Sequence, residues 1–212
     1  SPKGFLALIL VLETGMNGTF VALDLILFFV FFEIVLLPMY FMIGIWGDKT
    51  VRTVSGFKNQ IETRLYASIK FFVFTLFGSA FMLLGFLGLY YRGNKTFSIP
   101  ELIELGTSGA FTGTFATLVF AVLFLGFAVK VPMWPLHTWL PDAHTAAPTV
   151  GSVLLAAILL KLGSYGFVRI AIPILPEQAK AWAPAIAILS AIGIIYGSLA
   201  CLAQTDLKRL IA

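Results

Sequence analysis

The chain has 212 residues, of which 59% are hydrophobic and only 11% are charged. Soluble domains carry about 25% charged residues, so this composition excludes a soluble globular protein and indicates a membrane protein. The formal net charge of +4 does not indicate nucleic-acid binding, because basic residues in membrane proteins mostly record the orientation of the spans.

The apolar stretches predict a helical membrane protein, because a helix needs about 20 apolar residues to cross a bilayer. A first apolar run ends near Leu12 and is too short to span. Five longer stretches follow, at residues 19–46, 66–91, 112–131, 148–170 and 182–204. We therefore predict one all-α, polytopic transmembrane helix bundle over residues 1–212, with about five full spans plus a truncated one. We also expect the chain to be an internal fragment of a longer protein.

The connections between the spans differ in their content of lysine and arginine. One side carries the larger number, which places it in the cytoplasm by the positive-inside rule. The connection 50–63 is then cytoplasmic, and the connection 93–111, with a short helix expected to open at 99–102, faces outward. The cytoplasmic set is Lys3, Lys49, Arg52, Lys58, Arg64, Lys70, Lys208 and Arg209, and the outer set is Arg92, Lys95, Arg169 and Lys180.

Two charged residues lie deep inside predicted spans, where an ionised side chain is costly and commonly functional. Glu33 lies about 21 Å and about 20 Å from the two ends of its span, and Lys161 about 20 Å and about 14 Å from the ends of its own. The structural alternatives are a protonated or hydrogen-bonded Glu33 and a Lys161 that packs while reaching toward the outer face. Asp24 lies only about 8 Å into its span, and we interpret it as structural.

Lys130 ends a long apolar run and is followed by Pro132 and Pro135. Each proline lacks a backbone donor, so the sequence predicts a helix broken near Pro132. Spacing alone also allows Lys130 to lie near the cytoplasmic edge, about 27 Å from Thr112, and to snorkel. The chain nevertheless stays apolar and aromatic beyond the break. A broken helix at membrane depth is tolerated where protein or a water-filled cavity surrounds it, and such a setting is typical of ion pathways.

A carboxylate and a lysine inside a membrane can control each other's charge. Burial disfavours the charged form of both, whereas a nearby partner of opposite sign favours it. Moving or neutralising one group can therefore load or release a proton on the other. Glu33, Lys130 and Lys161 are the candidate proton-transfer residues.

His137 and His144 follow the helix break and are candidate relay residues, since histidine exchanges protons near neutral pH. The structural alternative is that Asp142 caps the following helix and both histidines bind backbone groups. Both interpretations remain open on the sequence.

The stretch 127–153 (FAVKVPMWPLHTWLPDAHTAAPTVGSV), followed by Leu159-Leu160-Lys161, resembles the antiporter-like subunits of respiratory complex I, the proton-pumping NADH:quinone oxidoreductase. Residues 32–47 (FEIVLLPMYFMIGIWG) and 205–212 (TDLKRLIA) are similar to the M-type members of this family, the chain 4 type in mitochondria.

The resemblance implies about fourteen helices in two inverted five-helix repeats, with residues 1–170 as roughly the first repeat and 182–212 as the start of the second. It implies that Lys130 lies on a discontinuous helix and pairs with Glu33, and that Lys161 passes the proton onward. It also implies no redox cofactor or metal in this chain, and partners among the other membrane-arm subunits. The expected location is the bacterial cytoplasmic membrane, with the mitochondrial inner membrane as the alternative.

Two other functions remain open on the sequence. The motif is shared with multisubunit cation/proton antiporters and with the membrane arms of hydrogenases, and sodium-dependent transport would favour the antiporter. A passive membrane scaffold is the third interpretation. It predicts that Glu33→Gln and Lys130→Ala damage assembly rather than transport.

Overall fold

A computed structural model describes residues 1–52 and 61–211. Over these residues the chain is almost entirely helical, and the part of the predicted cytoplasmic connection at 53–60, which includes Lys58, lies outside the described residues. The helices are α1 (Pro2–Val21), α2 (Leu25–Ile34), α3 (Leu36–Trp46), α4 (Thr63–Arg92), α5 (Ile99–Thr107), α6 (Gly113–Lys130), α7 (Trp139–Ala146), α8 (Thr149–Leu154), α9 (Leu160–Gly166), α10 (Ile172–Ile174), α11 (Pro176–Leu202) and α12 (Leu207–Ile211). Two antiparallel two-residue strands, β1 (Val51–Arg52) and β2 (Ile61–Glu62), precede α4.

Six helical segments in the described part are long and apolar enough to cross a membrane. They are Pro2–Val21, Leu25–Trp46, Thr63–Arg92, Gly113–Lys130, Thr149–Ile174 and Pro176–Leu202. Two π-helical turns, Leu155–Leu159 and Phe167–Ala171, join α8, α9 and α10 into one span. The predicted all-helical polytopic bundle is confirmed, as are the short α5 helix in the connection 93–111 and the helix break after Lys130.

The prediction of a truncated first span is wrong, because α1 continues past Leu12 to Val21. Two of the polar residues that interrupt its apolar run make their hydrogen bonds within the helix. The hydroxyls of Thr14 and Thr19 each donate a 2.8 Å hydrogen bond to the carbonyl four residues earlier. Because these hydroxyl groups have hydrogen-bond partners in their own helix, they do not need water and do not end the helix.

The second span begins at Leu25 rather than at residue 19, and Asp24 stands at its N-cap instead of inside it. Its carboxylate accepts hydrogen bonds from the backbone amides of Ile26 (2.9 Å) and Leu27 (3.0 Å). An aspartate at this position satisfies amides that have no partner within the helix. The structural interpretation of Asp24 therefore stands, with a different geometry from the one expected.

Helix α4 is the centre of the bundle and packs against α2, α3, α6 and α7. Glycines allow its closest approach to α6: a Cβ built on Gly126 would lie 2.9 Å from the carbonyl oxygen of Gly78. Helix α11 lies on the outside, where Trp182 packs between Phe120 and Phe124 of α6 with ring centroids 5.6 Å from each. Small residues on α4 and α6 thus bring the end of α6 into the middle of the protein.

Candidate functional site

The end of α6 lies midway across the bundle. A Cβ built on Gly78 would lie 2.8 Å from the Cβ of Val129, and Gly78 is about 22 Å and about 21 Å from the two ends of α4. A Cβ built on Gly163 would lie 3.0 Å from the Cβ of Lys130, and Gly163 is about 21 Å and about 17 Å from the ends of its span. Two neighbouring helices therefore place Lys130 at mid-depth, which excludes the alternative of a snorkelling lysine at the cytoplasmic edge.

The Lys130 side chain is enclosed, with only 3% of its surface exposed. Its Nζ atom lies 4.7 Å from the centroid of the Phe32 ring, a cation–π contact that compensates part of the lost hydration. The negative charge that acts on it is that of Glu33, the next residue along α2.

Glu33 faces Lys130 and lies near Ser79 of α4, whose hydroxyl donates a 3.0 Å hydrogen bond to the carbonyl of Leu76. The carboxylate is only partly buried within the described chain. The Glu33–Lys130 pair is not among the ion pairs with an N–O distance of 4.0 Å or less in the described part. The two charges therefore interact without a direct ion-pair contact, an arrangement in which either can change its proton without breaking a hydrogen-bonded ion pair.

The helix break after Lys130 is stabilised by replacement hydrogen bonds. The last turn of α6 presents carbonyls that no helical amide reaches. The amide of Met133 donates to the carbonyl of Ala128 (3.0 Å), and the indole Nε1 of Trp139 donates to that of Val129 (3.0 Å). Trp139 is fully buried against Phe71 of α4, with ring centroids 5.4 Å apart. Specific hydrogen bonds and packing thus stabilise the break. It is surrounded by protein, as an interruption of a helix at membrane depth must be.

Lys161 is not brought into the cluster formed by Glu33, Phe32, Ser79 and Lys130. It lies on an exposed side of its span, and its Nζ donates a 2.7 Å hydrogen bond to the carbonyl of Ala156 in the first π-helical turn. Its helix meets Lys130 through Gly163 instead.

The two histidines lie in the connection outside the six spans. Burial, and after it the charge of Lys70, lowers the pKa of His137; burial, and after it the charge of Lys208, lowers the pKa of His144. Both imidazoles are therefore neutral near pH 7, the form that accepts a proton. The buried Nδ1 of His137 has no hydrogen-bond partner among the described residues. Its ring meets Tyr196 of α11 at 5.2 Å beside a cavity of about 430 Å³.

The interpretation of Asp142 as a helix cap is wrong. Thr138 stands at the N-cap of α7, which has no side-chain capping bond. The Asp142 carboxylate instead accepts from Nζ of Lys70 on α4 at 2.7 Å. Lys70 lies inside α4. Its pairing with Asp142 is not evident from the sequence, because the two residues are 72 positions apart and no local pattern links them.

Two further residues were missed. Ser79 was overlooked because a serine in an apolar helix resembles a packing residue, and its position beside Glu33 appears only when α2 and α4 are docked. Glu13 lies about 12 Å from the end of α1 at Val21, with its side chain exposed in the described chain. It was overlooked because the first span was expected to stop at Leu12. Among residues 1–52 and 61–211, no group of three or more His, Cys, Asp or Glu side chains could hold a metal ion.

The chain is similar to proteins of established type over nearly its whole length. It is 47% identical over 219 residues to NADH-quinone oxidoreductase subunit M of Rhodobacter capsulatus and 46% identical over 211 residues to NADH-ubiquinone oxidoreductase chain 4 of Metridium senile. Each match covers 99% of this chain and 40% and 39%, respectively, of the relative. The chain thus spans about two fifths of the length of these relatives.

Solved structures give the same result for the fold. A chain of respiratory complex I from Thermus thermophilus matches with a TM-score of 0.83 and 34% identity, covering 98% of this chain and 41% of that one. A chain of the archaeal membrane-bound sulfane sulfur reductase matches with a TM-score of 0.80 and 27% identity, covering 96% and 39%. The family model described as NADH:quinone oxidoreductase/Mrp antiporter, transmembrane, matches residues 22–212. The chain is therefore an integral membrane protein that belongs to the NADH:quinone oxidoreductase/Mrp antiporter transmembrane family.

Proposed function

We propose that this chain is part of a proton-translocating subunit of an NADH:quinone oxidoreductase, driven by quinone reduction in other subunits. The observation that carries the proposal is the enclosed Lys130 at a helix break in mid-membrane, with the charge of Glu33 acting on it without a direct ion-pair contact. The identity of 43–47% to subunit M and chain 4 proteins supports the choice of complex. On this proposal the redox centres and the quinone site belong to partner subunits, and the chain itself holds no redox cofactor.

The proposed mechanism is electrostatic. A proton loaded onto Lys130 is favoured by a nearby negative Glu33 and disfavoured by burial, so a change at Glu33 shifts the balance at Lys130. The pair titrates as a unit. Lys161, on the exposed side of the adjacent span, is proposed to pass the proton onward. His137 and His144 are proposed to relay protons between the cytoplasmic end and the break.

The proposed setting is a bacterial cytoplasmic membrane, with the other membrane-arm subunits as partners. We also propose the repeat division implied by the family resemblance, with residues 1–170 in the first five-helix repeat and 182–212 opening the second. The packing of α11, which opens the proposed second repeat, supports this division. Helix α11 packs on the outer side of α6 and not among the helices of the proposed first repeat.

A cation/proton antiporter subunit is the second candidate, because the family includes Mrp antiporters and the sulfane sulfur reductase chain shares the fold. The discriminating experiment uses inside-out vesicles that contain the complete protein in its complex. We expect NADH oxidation to acidify the vesicle lumen without sodium, and a protonophore to abolish the signal. Acidification that requires sodium would contradict proton pumping and favour the antiporter.

A further inference from the structure

Helix α7, which follows the helix break, is held at its C-terminal end through backbone groups. At its C-terminal end, the carbonyl of Ala146 accepts from the amide of Asp48 (2.8 Å), and that of Ala147 accepts from Nζ of Lys208 (2.9 Å). The carbonyl of His144 accepts from the hydroxyl of Ser152 (3.0 Å). These contacts fix the end of α7 that lies farther from Lys130.

The middle of α7 is held differently. Nζ of Lys70 on α4 lies 2.7 Å from Oδ2 of Asp142, and 19% and 30% of the two side chains are exposed. Of the ion pairs formed among the described residues, this is the one that joins two helices. Partly exposed ion pairs contribute little to overall stability, so the contact is better suited to setting the position of α7 than to holding the fold together.

The position of α7 is transmitted to the buried lysine through one side chain. Trp139 begins α7, packs on Phe71 next to Lys70, and donates its indole N–H to the carbonyl of Val129. Val129 immediately precedes Lys130. The chain of contacts therefore runs from Lys70 through α7 to the last turn of α6, and each link is a hydrogen bond, an ion pair or a ring contact.

We propose that Lys70 and Asp142 are positioning residues, whose ion pair holds α7 against α4 and thereby sets the place of Lys130 relative to Glu33. The proposal rests on the proposed function, since its effect is measured as proton transfer through Lys130. Neither residue is assigned a proton-carrying role. Proton-transfer efficiency depends steeply on distance, and a misplacement of about 1 Å at a reacting group can cost about 100-fold.

The test compares variants of the complete protein in vesicles that contain the assembled complex. Lys70→Met and Asp142→Asn each remove one charge while keeping the side-chain size. The exchange variant Lys70→Asp/Asp142→Lys restores an ion pair in which the positive and negative residues have changed places. Glu62→Gln is the matched control, because it removes a 2.6 Å ion pair with Arg64 that does not involve α7. Proton pumping per NADH oxidised is measured beside the amount of complex on a native gel.

We expect the two single variants to assemble normally and to lose pumping by about tenfold, the scale of a sub-ångström misplacement. The exchange variant should recover most of the pumping, and Glu62→Gln should pump like the parent. The proposal is overturned if the single variants pump normally while Lys130→Ala does not, if the exchange variant fails to recover, or if the single variants fail to assemble. Normal pumping by Lys130→Ala would instead overturn the proposed function, and this inference with it.

Discussion

Proton pumping should fall by about 100-fold or more when Lys130 is replaced by alanine, the scale on which a positioned proton-transfer group acts. The ammonium group is enclosed at mid-depth, facing Phe32 and Glu33. Alanine removes the group that holds the proton and leaves a gap in the path at the helix break. NADH-driven acidification of inside-out vesicles, normalised to assembled complex, measures the effect.

Lys130→Arg separates charge from proton exchange at the same position. Arginine keeps the positive charge but does not release its proton in proteins. We therefore expect Lys130→Arg to assemble and still fail to pump. Lys180→Ala is the matched control, because Lys180 lies in α11 in an exposed pair with Glu177 at 3.4 Å. Pumping by Lys130→Arg at the parent's rate would show that only the charge is needed and would contradict a proton-carrying lysine.

Replacing Trp139 with alanine should cause the largest loss of stability, about 3–5 kcal/mol, the usual cost of emptying a large buried aromatic site. Trp139 is fully buried and packs on Phe71. The variant also leaves the Val129 carbonyl without its indole donor. The thermal unfolding temperature of the purified complex and the amount of complex on a native gel report the effect.

Trp139→Phe isolates the hydrogen bond from the packing. Phenylalanine fills most of the space, so its expected cost is about 1–3 kcal/mol, the penalty for a buried acceptor without a partner. Trp134→Ala is the control, because Trp134 is 37% exposed in the same connection. A Trp139→Ala complex as stable as the Trp134→Ala complex would contradict the role assigned to Trp139 in the helix break.

The features that could be predicted from the sequence are those that depend on residues close together in the chain. Apolar run length gave the spans, Pro132 and Pro135 gave the helix break, and the depth of Glu33 followed from a fixed rise per residue. The expected end of the first span at Leu12 failed because hydroxyl groups can bond back to their own helix, so a polar interruption does not always end a span.

The candidate site was predictable as a set of residues but not as an arrangement. The depth of Lys130 depends on the position of α6 along the axis of α4. The contact between Val129 and Gly78 sets that position. The Lys70–Asp142 pair and the position of Ser79 near Glu33 depend on the docking of helices that are separate in sequence. No periodicity within one helix carries that information. The roles of Glu33, Lys130, Lys161, His137 and His144 remain predictions.

The central claim is that the Glu33 charge controls the proton on Lys130, and Glu33→Gln in the complete protein tests it most directly. Glutamine keeps the size of the side chain, but it carries no charge. The account predicts a normal amount of assembled complex on a native gel and proton pumping reduced by roughly tenfold, which corresponds to losing about 1.4 kcal/mol of charge interaction. Normal assembly with unchanged pumping would contradict it and would make the buried charges a structural feature of the bundle.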